Sequence, residues 1–151
     1  MRPPVTGGCQ CGAVRYALSS PLKDAHFCHC RMCQRATGGL FAALAAVPKA
    51  DIVWTNGAPK FFPSSSVAVR GFCAHCGTPL TFAYLNGPNL CVTIGSLDHP
   101  ENAPIANHYG VESKAPWLKF CDGLPEVETA DEATSGASLV GMVSHQATEG
   151  A

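Results

Sequence analysis

Gly7-Gly8-Cys9-Gln10-Cys11-Gly12 and, much later in the chain, Cys73-Ala74-His75-Cys76-Gly77 carry four thiols in two tight pairs. In a strand, residues i and i+2 face the same way, so Cys9 and Cys11 would present both sulfurs to one ion. Cys73-x-x-Cys76 followed by Gly77 has the form of a zinc knuckle, a turn whose backbone N–H groups aim at the sulfurs. Two such pairs make the tetrahedral four-sulfur set that Zn²⁺ favours. Their union would tie the start of the chain to its middle, which is a structural role.

A third cluster, Cys28-His29-Cys30-Arg31-Met32-Cys33, places three more thiols on what reads as a six-residue loop. They could grip a second ion from one side. In one reading Cys91, Cys121 or a histidine (His26, His29 or His75) closes the set. In the other, the fourth position stays open to water or to an incoming thiol, and an open site can bind and activate a substrate. A third possibility makes one of the three thiols a redox nucleophile. Cys91 and Cys121 stand alone and read as small buried hydrophobes. A disulfide framework is the competing account of the clusters. The odd count of nine cysteines and the strained ring that Cys9 and Cys11 would close both argue against it.

The 151 residues fit one domain, and 46% hydrophobic with 14% charged suits a compact fold. A net charge of −1 with scattered Arg and Lys argues against a nucleic-acid or anionic-membrane surface. No signal-like stretch follows Met1, and Leu40 to Val47 is far shorter than the ~20 residues of a membrane span. The expectation is a cytoplasmic protein with reduced thiols, a monomer or weak homodimer.

Short strands are expected throughout. Val14, Tyr16 and Leu18 alternate at period two, and further strands are expected at Phe41–Val47, Asp51–Trp54, Ser66–Arg70 and Pro79–Tyr84. Asn86-Gly87-Pro88-Asn89 should turn a hairpin into Leu90–Ile94. Twelve prolines and fifteen glycines leave no room for a long amphipathic helix. Composition changes near the end. Residues 130–151 lack aromatics, Lys and Arg, so a zinc-binding domain is expected over 1–128 and a flexible tail over 129–151.

Together these motifs resemble the glutathione-dependent formaldehyde-activating enzymes, whose domain also appears in centromere protein V. The resemblance is carried by Gly8-Cys9-Gln10-Cys11-Gly12, by Cys28 to Cys33 continuing to Gly38, and by Arg70-Gly71-Phe72-Cys73-Ala74-His75-Cys76-Gly77. It continues through Ile94-Gly95-Ser96-Leu97-Asp98, His108, Lys114-Ala115-Pro116-Trp117 and Asp122-Gly123-Leu124-Pro125, covering about residues 6–128. It implies a mainly β, zinc-stapled, tent-like fold of short antiparallel strands, shared with methionine sulfoxide reductase B. It further implies two Zn²⁺ per chain: a structural ion on Cys9, Cys11, Cys73 and Cys76, and a catalytic ion on Cys28, Cys30 and Cys33. The implied activity is a carbon–sulfur lyase that adds glutathione to formaldehyde, and the reverse.

A thiol such as glutathione is anionic, so Arg31 and Arg35 are candidate substrate contacts; both also read as solvated surface charges. His108 could line the cleft. Trp117 beside Pro116 reads as a core anchor. Thr37, Gly38 and Gly39 could let a substrate backbone approach, although turn formation explains the glycines equally well. The rival function is a non-enzymatic zinc-stabilised module that binds a protein, with both metal sites closed.

Overall fold

The alternation at Val14, Tyr16 and Leu18 does bury those three side chains, the last two in a strand of the smaller of two sheets. The computed structural model describes residues 4–129 and 139–144. In chain order its elements are β1 (Val5–Gly8), β2 (Arg15–Leu18), β3 (Lys23–Cys28), α1 (Arg31–Thr37), β4 (Ala42–Pro48), β5 (Ile52–Asn56) and β6 (Lys60–Pro63). They continue with β7 (Ala68–Phe72), β8 (Pro79–Tyr84), β9 (Asn89–Thr93), β10 (Asn107–Tyr109) and β11 (Glu126–Val127). The small sheet has the order β1-β2-β5, and the large one runs β11-β10-β3-β4-β9-β8-β7-β6. The expected mainly β fold is present. The β8–β9 hairpin forms around Asn86-Gly87-Pro88, with Thr81 opposite Val92 and Phe82 opposite Cys91. Pairing is antiparallel except at one end, where β10 lies parallel to both β3 and β11.

Strand β4 sits in the middle of the large sheet and is buried on both faces. Alanine is a poor strand former, but a central strand covered on both sides selects for small apolar side chains rather than for alternation. Ala45 and Val47 join the main core with Tyr16, Leu18, Leu80, Val92 and Leu97. Ala42 and Leu44 join a smaller cluster around Cys28 and Cys33.

The two sheets are stitched where β1 meets the segment after β9. Gly7 bridges to Leu97, and a Cβ on Gly7 would lie 2.4 Å from the Tyr16 hydroxyl. That hydroxyl is paired with Ser96 Oγ at 2.8 Å. Asp98 accepts both Arg15 Nη groups, at 2.9 and 2.5 Å, and the Thr6 hydroxyl at 2.6 Å.

One expectation is corrected. The three-cysteine loop is half helix, because Cys30 caps α1 and its sulfur accepts the Cys33 N–H at 3.4 Å. Gly38 closes the helix in the left-handed conformation, donating to Gln34 O. Seven residues are too few for helical periodicity to register in the sequence. Of the expected tail, residues 130–138 and 145–151 lie outside the described residues. Residues 139–144 make a turn in which Val143 exchanges hydrogen bonds with Ser66, and Ser144 bridges to Ser65. No helix among the described residues is long and apolar enough to cross a membrane.

Candidate metal and substrate site

All nine cysteines are free thiols, which removes the disulfide account. Seven of them converge as two groups, Cys9 with Cys11, Cys73 and Cys76, and Cys28 with Cys30 and Cys33; within each group the sulfurs lie within 4.8 Å of one another. A regular tetrahedron with Zn–S near 2.3 Å needs sulfurs about 3.8 Å apart. The Cys9–Cys11 and Cys11–Cys73 separations are 3.6 and 3.9 Å, so the four-thiol group fits such an ion.

The route to this geometry differs from the expected one at Cys9. Strand β1 ends at Gly8, and Cys9 to Gly12 form a turn closed by Gly12 N–H to Cys9 O. The turn brings the two sulfurs together where the alternation of a strand was expected to. The second pair does form a knuckle. Gly77 donates to Cys73 O with a left-handed φ of 77°, and the His75 N–H points at the Cys73 sulfur at 3.4 Å. Val14 N–H points likewise at Cys9 Sγ at 3.2 Å. Such donors stabilise thiolates, as the outer partners of metal-ligating sulfur do. Thr78 draws the Cys76 thiol down to about 5 through its hydroxyl and then its backbone. Cys9 and Cys73 are packed into the main core, so this group is part of what holds the fold.

In the other group, Cys28 ends β3, Cys30 caps α1 and Cys33 lies in the helix's first turn, with Cys28 and Cys30 sulfurs 3.4 Å apart. No fourth Cys, His, Asp or Glu joins these three among the described residues. Cys91 packs nearby, its thiol pushed up to about 12 by burial, while Cys121 is exposed rather than a buried hydrophobe. His26 bonds to Asp24 O and His75 is exposed. The Cys33 thiol is held well below its ordinary value by its hydrogen bonds with Cys28 and Cys30, and then by Arg70. Contacts with Cys30 and then Cys33 push the Cys28 thiol up.

Beneath this loop lies a chain of side chains whose connection the sequence does not reveal. His29 Nε2 is 2.9 Å from His108 Nδ1, and His108 Nε2 is 2.9 Å from Asp122 Oδ2. A carboxylate only accepts, so His108 donates from Nε2; a neutral His108 then accepts from His29 at Nδ1. The hydrogen bond from His108 lowers the Asp122 pKa. Both histidines are fully buried, and Phe120 packs against both rings. His108 therefore supports the loop from below and does not line a cleft, as had been expected. The loop is gripped from above as well: Gln34 Nε2 donates to His29 O and Ser113 O, and Gly110 at φ 70° packs against Cys30, where a Cβ would come within 2.9 Å of the Cys30 nitrogen.

A cleft of about 340 Å³ opens beside the three-thiol group, lined among others by Arg35, Thr37, Arg70, Thr81 and Phe82. Arg35 is thus part of the cleft wall. Arg31 does not line the cleft and donates to Gln34 Oε1 at 2.6 Å. Trp117 is 69% exposed, so it is not a core anchor; Pro116 before it and Leu118 N–H to Ala115 O after it hold it in an open turn. Arg70 was read only as part of a motif. It donates to Cys33 Sγ at 3.4 Å and lies over the Phe82 ring at 4.8 Å.

The fold and these thiols define a small β protein with two sulfur groups that could hold metal ions. The family model described as glutathione-dependent formaldehyde-activating enzyme matches residues 4–112, and the chain belongs to that family. An uncharacterized lyase of Schizosaccharomyces pombe is 34% identical over 87 residues, 58% of this chain and 63% of that protein's length. A putative glutathione-dependent formaldehyde-activating enzyme of Halomonas elongata is 28% identical over 125 residues, covering 76% of this chain and 79% of that one. A crystal structure of a Rhodobacter sphaeroides protein aligns with a TM-score of 0.48 at 20% identity, over 81% of this chain and 98% of that one.

Proposed function

We propose that this protein is a zinc-dependent carbon–sulfur lyase that adds a small thiol, glutathione or a close relative, to a small aldehyde such as formaldehyde, and catalyses the reverse. The observation that carries this is the inequality of the two thiol groups. One has four sulfurs, two of them (Cys9 and Cys73) in the main core; the other has three, with no fourth ligand among the described residues. Cys9, Cys11, Cys73 and Cys76 would hold a structural ion, and Cys28, Cys30 and Cys33 a catalytic one. Held there, a zinc ion would supply Lewis acidity, lowering the pKa of a thiol or polarising a carbonyl.

The protein's own groups then have defined tasks. The His29–His108–Asp122 chain and Gln34 hold the loop rigid, so the three sulfurs keep their geometry as substrate enters and leaves. Arg70, donating to Cys33 Sγ, places a positive charge beside the three sulfurs. Arg35, and Arg31 further out, would meet the anionic groups of the thiol. In the reaction the thiol's S–H bond breaks, a carbon–sulfur bond forms at the aldehyde carbon, and the proton ends on the aldehyde oxygen. Reduced thiols agree with a cytoplasmic setting.

Two measurements test this. Metal analysis should find two zinc ions per chain, one with an exchangeable ligand; four protein ligands on both would favour a protein-binding module. Exchange broadening of glutathione resonances on adding formaldehyde should increase with enzyme over the uncatalysed rate. No increase would sink this substrate pair.

A further inference from the structure

We infer that the cleft beside α1 receives the carbon body of the aldehyde, so that an aldehyde with a phenyl-sized apolar substituent is favoured over formaldehyde, with Phe62 as the residue that sets the preference. This rests on the thiol–aldehyde reading above, and it names the aldehyde class.

The cleft offers apolar surface that neither glutathione nor formaldehyde can use. Phe62, Phe72 and Phe82 line it from β6, β7 and β8, three neighbouring strands, and Leu44 and Pro79 add to its apolar part. Formaldehyde is one carbon and one oxygen, and the peptide of glutathione is polar along its length. Neither presents a face to three aromatic rings. At about 340 Å³ the cleft reaches the ~300–1,000 Å³ range of small-molecule sites, which leaves room for a ring.

The cleft is also continuous with the three-thiol group. Leu44 belongs to the cluster that contains Cys28 and Cys33, Phe82 packs against that cluster, and both side chains line the cleft. A carbon bonded to a sulfur held at that group lies one side chain away, and its substituent can extend into the cleft. Phe61 and Phe62 are neighbours on the edge strand with different surroundings. Phe61 lies over Gly71, where an added Cβ would meet its ring at 3.1 Å, and it does not line the cleft. Phe62 forms part of the cleft wall and leaves 47% of its surface exposed. An aromatic face held open to water in a concave site is unfavourable, and a bound ring removes that exposure from both partners.

The test uses the zinc-loaded protein without aldehyde. S-benzylglutathione is the probe, because it carries a phenyl ring on the carbon bonded to sulfur, as the adduct of an aromatic aldehyde would. S-methylglutathione, with the same peptide and no ring, is the control. Calorimetry should find the benzyl compound bound at least about tenfold more tightly. Phe62→Ala should cut that preference by about threefold or more and leave the methyl compound little changed. Phe61→Ala should leave both unchanged. Nuclear Overhauser contacts are expected in the unaltered protein between the benzyl ring and the rings of Phe62 and Phe72. Equal binding of the two compounds, a preference untouched by Phe62→Ala, or missing contacts would overturn the inference. Should Phe62→Ala not fold, the two affinities and the ring contacts in the unaltered protein decide alone. A benzyl preference without catalysed addition of any aldehyde rejects the reaction and keeps the subsite. Catalysed formaldehyde addition without a benzyl preference rejects the subsite and keeps the reaction.

Discussion

Removing Cys73 and Cys76 together should damage the fold far more than removing Cys30 and Cys33. The four-thiol group joins residues 62 apart in sequence, as Cys11 and Cys73 measure it. Treated as a cross-link, closing a loop of that size restricts the unfolded chain by about 4 kcal/mol. Total stabilities of such domains run about 5–15 kcal/mol, so this is a large share. The three-thiol group closes only the short stretch from Cys28 to Cys33, about 2 kcal/mol by the same relation. Even that is partly redundant, since β3 pairing and the α1 cap already order the stretch. At roughly 2–4 °C per kcal/mol for a chain of this size, Cys73→Ser with Cys76→Ser should lower Tm by about 8–16 °C. Cys30→Ser with Cys33→Ser should lower it by less than half of that while abolishing formaldehyde–glutathione turnover. Thermal unfolding followed by circular dichroism, with zinc counted on the same samples, measures both. Equal Tm losses would refute the division of labour between the groups.

Gly110→Ala should push Cys30 off position, since a side chain there is both strained at positive φ and too close to Cys30; the strain is ~1–2 kcal/mol. Cobalt titration, which reports thiolate ligation by absorbance, should lose the three-sulfur signal and keep the four-sulfur one. Asp98 is depressed to about 2, first by Arg15 and then by Thr6. Its contribution is complete above the ordinary carboxylate value near 4 and is lost as pH falls from there through 2. With both side chains over one-third exposed, or nearly so, the effect is modest. Acid unfolding of Asp98→Asn should lack that slope between pH 4 and 2, and an unchanged slope would remove Asp98 from the account. His108→Phe should destabilise by about 1–3 kcal/mol, because it leaves His29 unpaired in a buried site. Urea unfolding would measure this, and a neutral result would mean the buried chain carries no stability.

Most strands could be read directly because their physics is local. Pro79–Tyr84 appears with the expected bounds, and the turn at Asn86-Gly87-Pro88-Asn89 makes the expected hairpin. The grouping of the thiols was also legible, since chelating spacings constrain geometry in any backbone. What could not be read depends on distant partners. The turn at Cys9–Gly12 looks strand-like because spacing i, i+2 suits both. Helix α1 is too short to show a period, and its cap is a cysteine, which is not a residue used to predict caps. Trp117 is exposed although tryptophan beside proline suggests an anchor. Arg70 is invisible as a functional residue because its neighbours Cys33 and Phe82 lie on other elements. The His29–His108–Asp122 chain joins residues that only the parallel placement of β10 beside β3 brings together.

Strand β7 carries Arg70 and, one residue past its end, Cys73. The same short ribbon therefore touches both sulfur groups, and it does so asymmetrically. Ligation of Cys73 would fix the end of the ribbon that carries the arginine facing Cys33. On the proposed assignment, filling the four-sulfur site first would deliver a shaped seat for the second ion. Under metal scarcity such a chain would lose its activity before its fold, and recover it without refolding.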